Sequence, residues 1–273
     1  GLMGHGITYV SALSGLEVVM TDSSQEYAEN GLSRIKTILN EGIKHGRTTK
    51  EKVEEILNRI TATADYKKLA DCDLIIEAVF EDRELKAKVT GMAENIMDSN
   101  GVFASNTSTL PITGLAKKSI RPEKFIGIHF FSPVHKMKLV EIIKGNKTNH
   151  ETIAKAFDYV LKIRKIPIVV NDSRGFYTSR VFSTYPNEGL ALLAEGNHPQ
   201  EIESAGKKAG MPVGPLAVID EVNIGLVAGI RNQTRKDLAA EGKKLPPGPA
   251  DPVIDLMTEK LNRLGRANGR GFY

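Results

Sequence analysis

His129 closes an apolar run, Ile126-Gly127-Ile128-His129-Phe130-Phe131-Ser132-Pro133, and Glu141 sits inside the next, Lys138-Leu139-Val140-Glu141-Ile142-Ile143. An ionised carboxylate among Leu, Val and Ile is costly to bury unless something pairs with it. His129 lies twelve residues earlier, and histidine is the residue type whose ordinary pKa is nearest neutrality, so it can be that partner. A strand, a reversal and a second strand would bring the two together as a proton-transfer pair. The plainer alternative is a satisfied histidine at a strand end and a glutamate facing solvent.

A second set of chemistry-bearing residues opens the chain. Gly1-Leu2-Met3-Gly4 leads into an apolar segment, Ile7 to Leu13, that ends near Gly15. The short strand Leu16-Glu17-Val18-Val19-Met20-Thr21 follows and closes on Asp22. Glycine turn, helix, strand and terminal acid form part of a dinucleotide-binding unit, in which the glycines admit a pyrophosphate and the helix start supplies free N–H groups. Asp22 comes eighteen residues after Gly4, near the offset of about 20 expected for an acid on a ribose 2′-hydroxyl. An acid there repels a 2′-phosphate, which favours NAD over NADP. Only G-x-x-G of the full fingerprint is visible. Its first glycine and the preceding strand are expected ahead of residue 1.

The elements between these two sets must position them. Two helical patterns fill 26–60 and carry Arg34, Lys36, Lys44, Arg47, Lys50 and Lys52 against Glu41 and Glu51. They read as a solvated face or as a phosphate-recognition surface. Leu74 to Phe80 predicts a buried parallel strand, and Gly101 to Ala104 another that empties into Ser105-Asn106-Thr107-Ser108-Thr109. Ligands of open α/β sheets bind beyond such strand ends, although the same residues also suit turns and caps. A helix over about 151–164 and a strand over 166–170 complete the pattern, and Asn171 to Gly175 marks a boundary. Beyond it the reading is helical, with Pro186 inside one helix, another helix through Ile219 and Leu226, and a last one after Leu245-Pro246-Pro247-Gly248-Pro249.

The composition suits a globular protein, with 41% hydrophobic and 26% charged residues among 273. No run is long and apolar enough for a membrane span. The lone Cys72 excludes an internal disulfide. A net charge of +4 without a basic tract argues against nucleic acid and for a small polyanion.

Taken in order, G-L-M-G, I-I-E-A-V-F-E, A-S-N-T-S, H-F-F-S-P-V, K-L-V-E-I-I-K-G, M-P-V-G-P and the closing G-R-G-F-Y resemble the 3-hydroxyacyl-CoA dehydrogenase family over essentially the whole chain. The resemblance is closest to the dehydrogenase segment of multifunctional fatty-acid oxidation proteins. It implies an α/β fold: a Rossmann-like NAD-binding domain over 1–171, its first strand missing from this sequence, then an all-helical domain over 172–273. It also implies oxidation of an (S)-3-hydroxyacyl-CoA by NAD in fatty-acid β-oxidation. His129 matches the base, Glu141 its orienting partner and Ser108 the contact to the reacting hydroxyl. Gly1, Leu2, Met3, Gly4, Asp22, Glu81, Lys86 and Ser132 match cofactor positions. Lys36 and Ser179 join Ser108 on the substrate.

Three positions depart from the family pattern. Ser179 and Ser132 stand where relatives often have Asn, and Ala267 where a Lys is common. A homodimer, or a place in a larger chain that binds a thiolase subunit, is implied, with a bacterial cytoplasm expected over a mitochondrion or peroxisome. A binding protein without turnover and a dehydrogenase for small hydroxy acids are the competing readings.

Overall fold

The computed structural model describes residues 1–240 and 242–273. Helix α1 (Leu2–Leu13) buries Ile7, Val10 and Ala12 and stops before Gly15, whose φ of 86° lies where L side chains are disfavoured. Strand β1 (Val18–Thr21) follows. Helix α2 (Gln25–Lys44) starts where the Ser24 side chain accepts the Tyr27 N–H, and α3 (Lys50–Asn58) where Thr49 does the same for Lys52. Strand β2 (Ile60–Thr63) returns parallel to β1. Ile35, Leu39, Val53 and Ile56 of the two helices pack on Met20 and Ile60 of this small sheet.

A five-stranded sheet carries the next segment in the order β3-β4-β5-β6-β7. Its strands are β3 (Leu74–Glu77), β4 (Val102–Ser105), β5 (Phe125–Phe130), β6 (Leu139–Lys144) and β7 (Ile166–Asn171). The helices α4 (Arg83–Glu94), α5 (Ile112–Ala116) and α6 (His150–Lys162) lie between them in sequence. All neighbouring pairs are parallel except β5 with β6. No described strand is hydrogen-bonded between β1 and β3.

Strand β5 is buried at every position. Ile126, Ile128 and Phe130 face one core cluster, and Phe125 joins the other. Each of these four side chains is at most 2% exposed, a burial that contributes about 1.5–3 kcal/mol per residue. Gly127 lies on the Phe125 face, where a Cβ would stand 2.7 Å from Ile112 and 2.9 Å from Ile143. The missing side chain lets α5 rest on the sheet.

Two sequence expectations change. The strand expected over 74–80 ends at Glu77, because the Glu77 carboxylate turns back to accept the Val79 N–H at 3.1 Å. Phe80 is left 85% exposed. The single helix expected through Ile219 and Leu226 is two helices that meet at Asn223.

The chain clusters into two compact units, Gly1–Tyr177 and Thr178–Tyr273. Residues 172–177 are tied to the first by Asp172, which accepts the Ile112 and Thr113 N–H groups at 2.8 and 2.7 Å, and by Tyr177, whose N–H donates to Glu141. The second unit comprises α7 (Thr178–Ala194, with Pro186 inside), α8 (Pro199–Lys208), α9 (Pro215–Val222), α10 (Ile224–Ala240) and α11 (Asp251–Asp255), the last running on into a wider turn over Leu256–Lys260. Its core gathers Leu190, Ile202, Leu216, Ile219, Ile224 and Ile254. Asn223, with φ 79°, breaks α9 from α10, and its side-chain oxygen accepts the Gly225 N–H. The closing segment from Arg266 to Tyr273 is a clasp on this joint. Asp220 accepts the Phe272 and Tyr273 N–H groups at 2.7 and 3.0 Å, and Arg266 pairs with Glu221.

Candidate active site

The antiparallel register of β5 and β6 sets His129 opposite Glu141. His129 Nδ1 lies 2.8 Å from Glu141 Oε2, and the two residues are only 5% and 0% exposed. The other carboxylate oxygen accepts the Tyr177 N–H at 3.1 Å. These donors offset the several kcal/mol that burying an unpaired carboxylate costs. The imidazole packs between Phe131 and Phe176, ring centroids 4.5 and 6.1 Å away. An acceptor at Nδ1 favours the tautomer that carries its proton there, which leaves the Nε2 lone pair to take a proton.

Beside this pair, the C-terminal ends of β3 and β4 are joined by two carboxylates, Glu77 and Glu81, that share one buried ammonium. Lys86 Nζ donates to both oxygens of Glu77, at 2.9 and 3.1 Å, and lies 3.5 Å from Glu81. Ser105 Oγ also donates to Glu77. Glu81 in turn gathers the loop after β4, accepting from Thr107 Oγ1 at 2.6 Å and from the N–H groups of Ser108 and Thr109 at 3.1 and 3.0 Å. Burial alone would raise the Glu81 pKa, but the Thr107 hydroxyl, the Lys86 charge and those two N–H groups outweigh it and hold it below the usual carboxylate value. Asn106 Oδ1 accepts the Phe130 N–H at 2.8 Å and ties the same loop to the end of β5. The Ser108 side chain is exposed on this fixed loop.

The opening glycines form a third part. The first turn of α1 has no capping side chain and no acid, so its orphan N–H groups and positive dipole end remain available to an anion. A Cβ on Gly1 or Gly4 would meet nothing within 4 Å, which leaves that surface open. The Asp22 carboxylate stands 3.1 Å from the Gly1 nitrogen, at the edge of this turn. Gly6 serves packing instead, because a Cβ there would lie 2.8 Å from Val134 Cβ. Anion-ready turn and neighbouring acid fit the two ends of a dinucleotide's ribose and pyrophosphate.

Models of the 3-hydroxyacyl-CoA dehydrogenase NAD-binding domain and C-terminal domain match residues 1–173 and 175–273. The chain belongs to the 3-hydroxyacyl-CoA dehydrogenase family. Its members are NAD-dependent oxidoreductases, and NAD is the cofactor of this chain.

Solved structures agree. The (S)-3-hydroxybutyryl-CoA dehydrogenase of Ralstonia eutropha is 34% identical, with a TM-score of 0.93 over all of this chain and 95% of that one. A 3-hydroxybutyryl-CoA dehydrogenase from Escherichia coli is 30% identical, with a TM-score of 0.91 over all of this chain and 57% of that one. The dehydrogenase part of multifunctional enzyme 1 from Caenorhabditis elegans is 28% identical, with a TM-score of 0.62 over all of this chain and 60% of that one.

In this dehydrogenase the site residues expected from sequence fall into separate places. His129 and Glu141 touch. Glu81 and Lys86 form one network with the Ser108 loop, in which Lys86 is 1% exposed and turned to carboxylates. Gly1, Leu2, Met3, Gly4 and Asp22 surround the start of α1, and Ser132 is exposed on the reversal after β5. Lys36 is exposed on α2. Ser179 lies in the second unit at the start of α7, where its carbonyl accepts from Ser183 Oγ at 2.6 Å. Sequence reading missed Glu77, although an acid inside the apolar run Leu74 to Phe80 gives the same signal that singled out Glu141. Tyr177 left no comparable trace, since its role rests on a backbone N–H; Asn106 and Thr107 belong to the polar cluster read after β4, but their distant partners Phe130 and Glu81 could not be read from it.

Proposed function

We propose that this dehydrogenase oxidises (S)-3-hydroxyacyl-CoA thioesters to 3-ketoacyl-CoA in fatty-acid β-oxidation, with His129 as the base. The buried His129–Glu141 contact carries this reading. Bound NAD, seated by Gly1 to Gly4 and Asp22 with Glu81 and Ser132 nearby, supplies the hydride acceptor for C3. His129 Nε2 takes the proton of the C3 hydroxyl, and Glu141 holds the tautomer that leaves Nε2 free and then stabilises the imidazolium. The Ser108 hydroxyl, on a loop held by Glu81, orients the reacting oxygen. Lys36 and the neighbouring basic residues of α2 and α3 meet the phosphates of coenzyme A, and Ser179 contacts the substrate.

NADH formation from (S)-3-hydroxybutyryl-CoA, a long-chain homologue and the corresponding free acids tests the reading, with His129→Ala beside the parent. Turnover of the thioesters that collapses in the variant is expected. NAD binding by a parent that turns over no thioester would favour a binding protein instead, and preference for the free acids would indicate a small hydroxy-acid dehydrogenase. Exposed apolar residues of the helical unit, Val181 and Phe182 on α7 and Leu226 and Ile230 on α10, support a homodimer, or a larger chain that adds a thiolase partner. The bacterial relatives support a bacterial cytoplasm.

A further inference from the structure

Eight residues, 131–138, join β5 to β6. Hairpin loops of about two to five residues set strand register through their own turn geometry. A connection of this length leaves the register to be set from elsewhere. The tie comes from Lys165, just after α6. Arg164 takes φ 58°, the Lys165 N–H returns to the Val160 carbonyl at 3.1 Å, and the Lys165 side chain is directed onto the reversal. Its ammonium donates to the carbonyls of Val134 and Met137 at 2.6 and 2.5 Å, and the residue is 8% exposed. Pro133 O accepts the Lys136 and Met137 N–H groups, so the two gripped carbonyls belong to one closed turn. Burial lowers the pKa of this lysine. A buried cation is a costly way to fill space, so packing alone does not account for it.

Both ends of the gripped turn lead to functional parts. Upstream of Val134 lie Phe130 and His129, and downstream of Met137 come Leu139 and Glu141. The Val134 side chain is 3% exposed and occupies the gap that Gly6 leaves in α1, the helix that opens on the cofactor turn. We propose that Lys165 is a positioning residue that holds the 131–138 reversal, and through it the His129–Glu141 register and the seat of α1 beneath NAD. Its effect on turnover rests on the catalytic reading of His129 and Glu141; its effect on NAD affinity does not.

The test uses the full chain with Lys165→Met and Lys165→Gln, titrated with NAD by calorimetry and assayed for NADH formation, with thermal melts alongside. Cooperative melts, NAD binding weakened roughly tenfold and a parallel fall in kcat are expected, the scale on which coupling residues act. Combined with Val134→Ala, Lys165→Met should cost NAD affinity less than the two separate losses together, because both act through one contact. NAD affinity and kcat within about twofold of the parent, or strictly additive losses, overturn the proposal.

If neither variant folds, amide exchange in the parent decides. Protection of 131–138 must rise when NAD binds, and unchanged protection overturns the proposal. A parent that binds NAD but oxidises no thioester removes the catalytic reading and leaves the NAD arm intact.

Discussion

Replacing Glu141 by Gln changes one oxygen for an amide nitrogen at a fully buried position. The carboxylate now accepts from the Tyr177 N–H at 3.1 Å on one oxygen and faces His129 Nδ1 at 2.8 Å on the other. An amide can accept on one side only. If its oxygen keeps Tyr177, its NH2 group points at Nδ1, drives the proton to Nε2 and removes the lone pair that must take the substrate proton. If its oxygen keeps the Nδ1 proton, two N–H groups confront each other at Tyr177, an unsatisfied contact costing about 1–3 kcal/mol. The imidazolium that the proposed mechanism forms would also lose its countercharge. A positioned base contributes about 10²–10⁴ in rate, or roughly 3–5 kcal/mol of barrier, and Glu141→Gln should forfeit most of it. The proposed NAD seat, Gly1 to Gly4 and Asp22, does not include Glu141, so the NAD dissociation constant should stay within about twofold, a change below 0.5 kcal/mol. Steady-state NADH formation gives kcat, and calorimetric titration with NAD gives the affinity. A kcat within tenfold of the parent, or NAD affinity falling in step with kcat, would refute the assignment.

Lys86→Met should destabilise the protein by about 3–5 kcal/mol, because it leaves Glu77 buried and unpaired, whereas Glu77→Gln with Lys86→Met should recover much of that in a denaturant melt. An equally unstable double variant would contradict this account. Tyr159, partly buried on α6 and bonded to Ser11 on α1 at 2.8 Å, has its pKa pushed by desolvation from 10.0 to about 12. Its folded form keeps a proton that the unfolded chain releases. The stability this contributes is complete below pH 10 and is lost as pH rises from there towards 12. Tyr159→Phe should therefore flatten the alkaline limb of a stability–pH curve, and an unchanged limb would count against it.

Much of the fold is legible in the chain because its cues are local. Ser24 and Thr49 cap the two helices that fill the stretch read as helical over 26–60. Ile126, Ile128 and Phe130 alternate as a strand does, and Gly15 ends α1. The same holds for the central pair: an acid inside one apolar run and a histidine inside another demanded a partner, and antiparallel pairing placed them in register. What remained hidden depends on atoms far apart in sequence. Periodicity could not show that β3 stops at Glu77, because the stop requires that carboxylate to turn back on Val79. It could not show the break at Asn223, which joins α9–α10 to the closing segment through the bond from the Ile224 N–H to the Leu264 carbonyl. Lys86 stands out only through the family resemblance, as a cofactor contact, and Lys165 looks like any surface lysine in the chain. Only packing reveals that one is enclosed by two carboxylates and the other by two carbonyls. Residue type and spacing thus determined which elements form and which groups can exchange protons. The tertiary structure decided which charges leave water, because desolvation and hydrogen-bond partners exist only once distant segments meet.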